Sequence, residues 1–310
     1  MKKPSATNAS DSAGTGSAAK SNGMAASGSA RPYRKTNLHT HTNFCDGKCS
    51  AETMVQAAIA QGITLLGFTS HSMYPFATDW HLAVASHADY CAEIHRLQAA
   101  YADQLHILLG FEVDYLAPIA CPRMEHYATF APDYLIGSVH YIGTSDGVFT
   151  VDGSPAELSN GIRTRYGGNV QAAISHYFAL EREMLSKGDF AILGHADLVR
   201  KYNAALHLFD ENDTWYQREL KATAAAIAHA GVIAEINTGG MARAGLPSPY
   251  PSPYFLSLLH ERGVPVTISS DAHTAEHIAA FFDVAREYAK KADYTEFAVP
   301  NAGSFEFYSL

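Results

Sequence analysis

The chain has 310 residues, 47% hydrophobic and 17% charged, enough for one large domain or two modest ones with no need of disulfides or a structural metal to hold the core. The 22 Lys and Arg against 31 Asp and Glu give a formal net charge of −9, which argues against wholesale binding to nucleic acid or to an anionic membrane. No apolar run approaches the ~18 residues of a membrane span, and four cysteines (Cys45, Cys49, Cys91, Cys121) are too few for a disulfide scaffold and favour a reducing, cytoplasmic compartment.

From Met1 to Ala30 there is no Val, Ile, Leu, Phe, Tyr or Trp. Such a segment cannot offset its ordering entropy, so residues 1–32 are expected to be a disordered Ala/Ser/Gly-rich tail and 33–310 the folded unit. From Tyr33 onward, β-like runs alternate with helical patterns. Strands are expected at 36–41, 63–71, 106–115, 134–142, 190–197, 232–238 and 264–271, each apolar with little alternation, as in strands covered on both faces. Helices are expected at 51–61, 170–187, 214–230, 252–262 and 275–291, with glycines closing the first four. The polar connections 72–86 and 143–169 read as long irregular loops. Seven strand–helix units in this length imply an α/β fold, a closed parallel barrel near the size of the (β/α)8 type.

Chemistry-bearing residues recur at one place in these units. His39 and His41 close the first strand, His71 the second, Glu112 stands near the end of the third, and His140 ends the fourth. His195 ends the fifth, and Asp271 and His273 end the seventh. In a parallel barrel all strand C-termini open on one face, so these groups converge. Residues two apart on a strand share a side, which lets His39/His41 and Asp271/His273 chelate in pairs. Imidazoles and carboxylates without thiolates suit Zn, Mn or Fe, and the donors outnumber the needs of one tetrahedral ion. Two or three divalent ions are therefore expected, with Asp46 in reach of the same mouth. A single such histidine is more often an ordinary packed residue; six histidines with two acids at corresponding strand ends are not. Asp114, on the Glu112 face, reads as a supporting residue, and the Cys45/Cys49 pair as free thiols. Arg200 and Lys201 follow His195 on a loop leaving the strand, where a guanidinium fork suits a phosphate.

These motifs, His39-Thr-His41 with Asp46, His71, Gly110-Phe-Glu112, Ser138-Val-His140, Gly194-His195-Ala-Asp197 and Ser270-Asp271-Ala-His273, resemble in order those of the PHP (polymerase and histidinol phosphatase) superfamily. The segments 151–154 and 195–201 look most like its stand-alone histidinol-phosphate phosphatases. The resemblance implies a distorted (β/α)7 TIM-like barrel with a trinuclear metal centre. It assigns one metal to His39, His41, Glu112 and Asp271, a second to Glu112, His140 and His195, and a third to Asp46, His71 and His273. It implies that Arg200, Lys201 and His71 bind substrate, and that Glu112, His71, Asp271 and Arg200 carry catalysis. The expected reaction is hydrolysis of L-histidinol phosphate by a metal-activated water, with Asp146 or Asp152 as partners for the substrate ammonium. Competing expectations are another PHP-type phosphoesterase, acting on a small ester or a nucleic-acid end, and an amidohydrolase-like C–N hydrolase.

Overall fold

The computed structural model describes residues 30–310. The expected disordered tail thus lies, but for its last three residues, outside the described residues. Of those three, Arg31 is already paired: its backbone bridges Tyr308 and its guanidinium meets Glu306 at 2.6 Å.

The first five strands are β1 (Thr36–Asn37), β2 (Leu65–Phe68), β3 (His71–Ser72), β4 (His106–Asp114) and β5 (Tyr134–Ser138). A hairpin of β6 (Tyr141–Thr144) and β7 (Gly147–Thr150) follows. Then come β8 (Ile192–Leu193), β9 (Ile233–Asn237) and β10 (Val266–Ser269), and a second hairpin, β11 (Glu296–Asn301) and β12 (Ser304–Ser309). Outside the hairpins every pairing between named strands of the described residues is parallel, in the order β1-β2-β4-β5-β8-β9-β10, and β3 pairs with β4 beyond the stretch that β2 covers. The two edges meet: Thr40 bridges Ala272 in parallel, and the His41 N–H donates to the Ala272 carbonyl at 2.9 Å. The result is the distorted (β/α)7 barrel, with β2 and β3 sharing one of its seven positions.

The helices are α1 (Ala51–Ala60), α2 (His87–Ala100), α3 (Pro155–Arg165), α4 (Val170–Lys187), α5 (Asn203–Leu206), α6 (Thr214–Ala230), α7 (Gly239–Ala244), α8 (Pro253–His260) and α9 (Phe282–Lys291). Local chemistry sets their ends. Ser50 and Asn169 cap α1 and α4 by accepting from the N–H groups of Thr53 and Ala172. Gly231 ends α6 at φ 69°, whereas Gly188 after α4 is extended at φ −76° and supplies no left-handed cap. Three expectations are corrected. The stretch 143–169 is not irregular: it holds most of the β6–β7 hairpin and all of α3, which is nucleated by Ser154 accepting from the Glu157 N–H with Pro155 in the first turn. The helix expected at 275–291 is broken, a 3₁₀ turn at Ala275–His277 being separated from α9 by Phe281 at φ 58°. The long strand expected at 190–197 pairs only over Ile192–Leu193.

The barrel interior is filled at its lower end by Leu38, Leu65, Tyr134, Ile136, Ile192 and Ile233, and the β11–β12 hairpin closes that end with Phe297, Val299 and Tyr308. The Tyr134 ring fills the space that side chains at Gly67 and Gly110 would need; a Cβ at Gly67 would lie 1.9 Å from the Tyr134 hydroxyl. That hydroxyl donates to the Leu38 carbonyl at 2.6 Å, tying β5 to the segment that carries His39. With one end plugged by apolar groups, the polar strand ends are gathered at the other.

Candidate metal centre

His39, His41 and Glu112 have no solvent exposure, and His71, His140, His195 and Asp271 are also buried. Burying so many titratable groups costs free energy unless they are paired or hold a cation. Glu112 stands at the middle. Its Oε2 lies 3.0 Å from His39 Nε2, 3.5 Å from His41 Nε2 and 2.9 Å from His71 Nδ1, while Oε1 lies 3.0 Å from His195 Nε2 and 3.6 Å from His140 Nε2. Despite these distances, Glu112 Oε2, His39 Nε2, His41 Nε2 and His71 Nδ1 make no hydrogen bond. Buried nitrogen and oxygen atoms held this close with no hydrogen bond to satisfy them are what a cation satisfies, so the donor set fits divalent metals.

Four groups of donor atoms each lie within 4.8 Å of one another: His41, Asp46, His71 and His273; His39, His41 and Asp271; Glu112, His140 and His195; and His71, Asp114 and His140. The first brings together the expected Asp46, His71 and His273 with His41 added, the second holds His39, His41 and Asp271 without Glu112, and the third is Glu112, His140 and His195. Asp46 reaches the mouth from the loop after β1, 3.1 Å from His273 Nε2.

The outer nitrogens are held by carboxylates. Glu235 Oε1 lies 2.8 Å from His39 Nδ1, and Asp114 Oδ1 lies 2.6 Å from His140 Nδ1. Each fixes the tautomer that presents Nε2 inward. Burial pushes His140 toward neutrality, but Asp114 outweighs it and drives the imidazole up to about 10. Burial likewise lowers and Glu235, Glu112 and Asp271 raise His39, with a net shift well above the ordinary value. Asp271 has left-handed backbone at φ 50°, unusual for a residue with a side chain, and its carboxylate sits 3.1 Å from His41 Nε2.

The structure also gathers residues the sequence reading does not assign. Arg243, on α7 beyond β9, donates through Nη2 to Asp271 Oδ2 at 2.7 Å and through Nη1 to the Asp271 carbonyl at 2.7 Å, and it touches His273. Glu235 also accepts from the His195 N–H at 3.1 Å and from Asn237 Nδ2 at 2.8 Å. A lone acid in Ile-Ala-Glu-Ile-Asn is the available signal for it. Arg200, expected on an open loop, is buried: Nε bonds Glu211 at 3.0 Å, and Nη1 lies 3.6 Å from Asp197 Oδ2 without a hydrogen bond. Lys201 is held by the Asp152 carbonyl and carboxylate at 2.8 and 3.2 Å. Asp146 is exposed in the turn between β6 and β7. The Cys45 thiol is free and lies 3.7 Å from His41 Nδ1.

Residues 37–239 match the family model of the PHP domain, and the chain belongs to that family. Among curated proteins it is 27% identical over 281 residues to a "Probable histidinol-phosphatase" of Schizosaccharomyces pombe, covering 86% of this chain and 89% of the relative. It is 26% identical to the histidinol-phosphatase of Bacillus subtilis, over 81% of this chain and 97% of that protein. A solved structure of the histidinol phosphate phosphatase of Lactococcus lactis, complexed with zinc, L-histidinol and phosphate, superposes with a TM-score of 0.66 at 22% identity, covering 88% of this chain and 98% of that one.

Proposed function

We propose that this chain is a metal-dependent phosphomonoesterase that hydrolyses L-histidinol phosphate to L-histidinol and phosphate. The observation that carries the reading is the convergence of unpartnered donor atoms around Glu112; the substrate is supported by the names of relatives that the chain covers nearly end to end. His39, His41, Glu112 and Asp271 would hold one ion, Glu112, His140 and His195 a second, and Asp46, His71 and His273 a third. When bound, Zn, Mn or Fe at these positions would supply Lewis acidity toward phosphoryl oxygens and an activated water.

The chain's own residues do the rest. Glu112, with histidines of different groups at its two oxygens, would offset the charge of the cations held there. Arg243, braced on Asp271 at the rim, keeps donors free for a phosphoryl oxygen and balances charge developing in the transition state. Arg200, whose guanidinium is taken up by Glu211, Ser248 and the Asp197 ion pair, would act as a second cation toward the phosphate by exchanging the weaker of these contacts. His71, shared by the group with Asp46 and His273 and the group with Asp114 and His140, would orient the phosphate at the mouth. Lys201 sets the position of Asp152, the carboxylate available to the substrate ammonium. The folded unit 33–310 is sufficient for this chemistry. The substrate is a small anion rather than a nucleic acid, in keeping with the net charge of −9. Four free cysteines support a cytoplasmic setting, and no helix among the described residues is long and apolar enough to cross a membrane.

Turnover on L-histidinol phosphate is to be compared with a panel of other phosphomonoesters, nucleotide ends and amides. A kcat/KM for L-histidinol phosphate well above every other compound supports the assignment. Preference for a different ester, or C–N cleavage without phosphatase activity, refutes it.

A further inference from the structure

Trp80 stands where two of the donor groups meet. Its indole lies edge-on to His71, with centroids 4.6 Å apart and planes at 87°, and edge-on to His140 at 5.5 Å and 80°. Among the described residues it is the only Phe, Tyr or Trp in ring contact with two of the candidate ligands. It is stacked on His81 at 3.8 Å and lies nearly parallel to Tyr141 at 5.7 Å. The rings of His81 and Tyr141 are themselves within 13° of parallel, 6.4 Å apart. Trp80 is only half-buried, so part of the indole remains accessible.

The position is fixed without a ligand. His81 is buried, with Nε2 2.7 Å from Asp114 Oδ2 and Nδ1 2.6 Å from Thr78 Oγ1, and Asp114 in turn holds His140. The Leu82 N–H donates to the His71 carbonyl at 2.9 Å, pinning the loop back onto β3. An aromatic wall held this way costs little to order on binding. The polar donors at the floor are committed to metal and phosphate, and Trp80 is the large π-surface beside them. In L-histidinol phosphate only a few single bonds separate the phosphorus from the imidazole. A phosphate over the cluster therefore leaves the ring within reach of the indole.

Resting on the function proposed above, we propose that Trp80 selects the alcohol half of the substrate: the indole is the platform on which the imidazole packs while the phosphate occupies the cluster. Flat aromatic rings gain from offset or edge-on packing beyond simple burial, and a protonated imidazole adds attraction to the indole face.

The test compares L-histidinol phosphate with 2-aminopropyl phosphate, which keeps the ester and ammonium but lacks the ring. Wild type, Trp80→Ala and Trp80→Phe are assayed at equal metal content. Trp80→Ala is expected to raise KM for L-histidinol phosphate roughly tenfold at nearly constant kcat, with constants for the ring-less ester unchanged and with Trp80→Phe recovering most of the loss. Equal losses on both esters, or none on either, overturn the assignment. The chain has two tryptophans, so in a Trp215→Phe background, with excitation to the red of tyrosine absorption, Trp80 alone emits. L-Histidinol added with inorganic phosphate should then change its emission saturably; an unaltered spectrum also overturns the proposal. If wild type turns over the ring-less ester but not L-histidinol phosphate, the substrate reading fails first and this inference falls with it.

Discussion

Glu235→Gln isolates the scaffold of the site from its ligands. Glu235 is buried and holds three donors: Oε1 takes His39 Nδ1 at 2.8 Å, and Oε2 takes the His195 N–H at 3.1 Å and Asn237 Nδ2 at 2.8 Å. Glutamine has nearly the same volume but only one acceptor oxygen, and its NH2 must face at least one of these donors. The carboxylate's charge, which makes His39 a better ligand, is also lost. Supporting hydrogen bonds of this kind are typically worth 10–100-fold in metal affinity, or about 1.4–2.8 kcal/mol. The expected result is a weakening of that size for the most affected ion in a competitive chelator titration. At saturating metal, kcat/KM should recover to within a fewfold of wild type. Unchanged metal affinity in a folded Glu235→Gln protein would refute the reasoning, because the His39 orientation would then not depend on this contact.

Glu112→Gln should be more damaging and not rescued by excess metal, since five histidines lie within 3.6 Å of its carboxylate oxygens; metal content and rate near wild type would remove it from the centre. Arg243→Ala should keep its metals and lose roughly 2–4 kcal/mol of transition-state stabilisation, read as kcat/KM, with Arg243→Lys recovering part. Arg200→Ala should behave differently, lowering stability by about 3 kcal/mol in denaturant unfolding as well as activity, because it strands the fully buried Asp197. Stripped protein should lose stability as pH rises from 7 to 9. His140 at about 10, and the raised His39 and His71, bind protons more tightly folded than unfolded, so their contribution is complete below about 6.5 and fades as pH climbs toward the folded values. Metal-loaded protein, whose ligands must be deprotonated, should show no such decline; thermal midpoints against pH for both forms check the sign.

The strand-end residues were legible because a parallel barrel turns a one-dimensional rule into a place: His39, Glu112, His140, His195 and Asp271 need only lie at successive strand ends to meet. Arg243 was not legible, because it sits six residues past β9 on a short helix and its side chain runs back to Asp271. Glu235 shows in the sequence only as a lone acid in an apolar strand, and its role comes from its contact with His39, 196 residues earlier. Arg200 reads as a loop cation because it follows His195 on the segment leaving the strand, but its burial needs Glu211 and Ser248, 11 and 48 residues further along the chain, as well as the local Asp197. The terminal hairpin carries alternating Phe305, Phe307 and Ser309 against Ser304, Glu306 and Tyr308 around an Asn-Ala-Gly turn, a local pattern the barrel reading leaves out. Its role as the plug of the barrel depends on contacts with Leu38 and Tyr134, which no local pattern contains.

Elemental analysis of the purified protein, paired with turnover of L-histidinol phosphate before chelation, after chelation and after return of Zn, Mn or Fe, tests the account most directly. Two or three ions per chain, loss of activity as they are removed and recovery as they are restored are the predicted result. Full turnover by protein shown to be metal-free would contradict it.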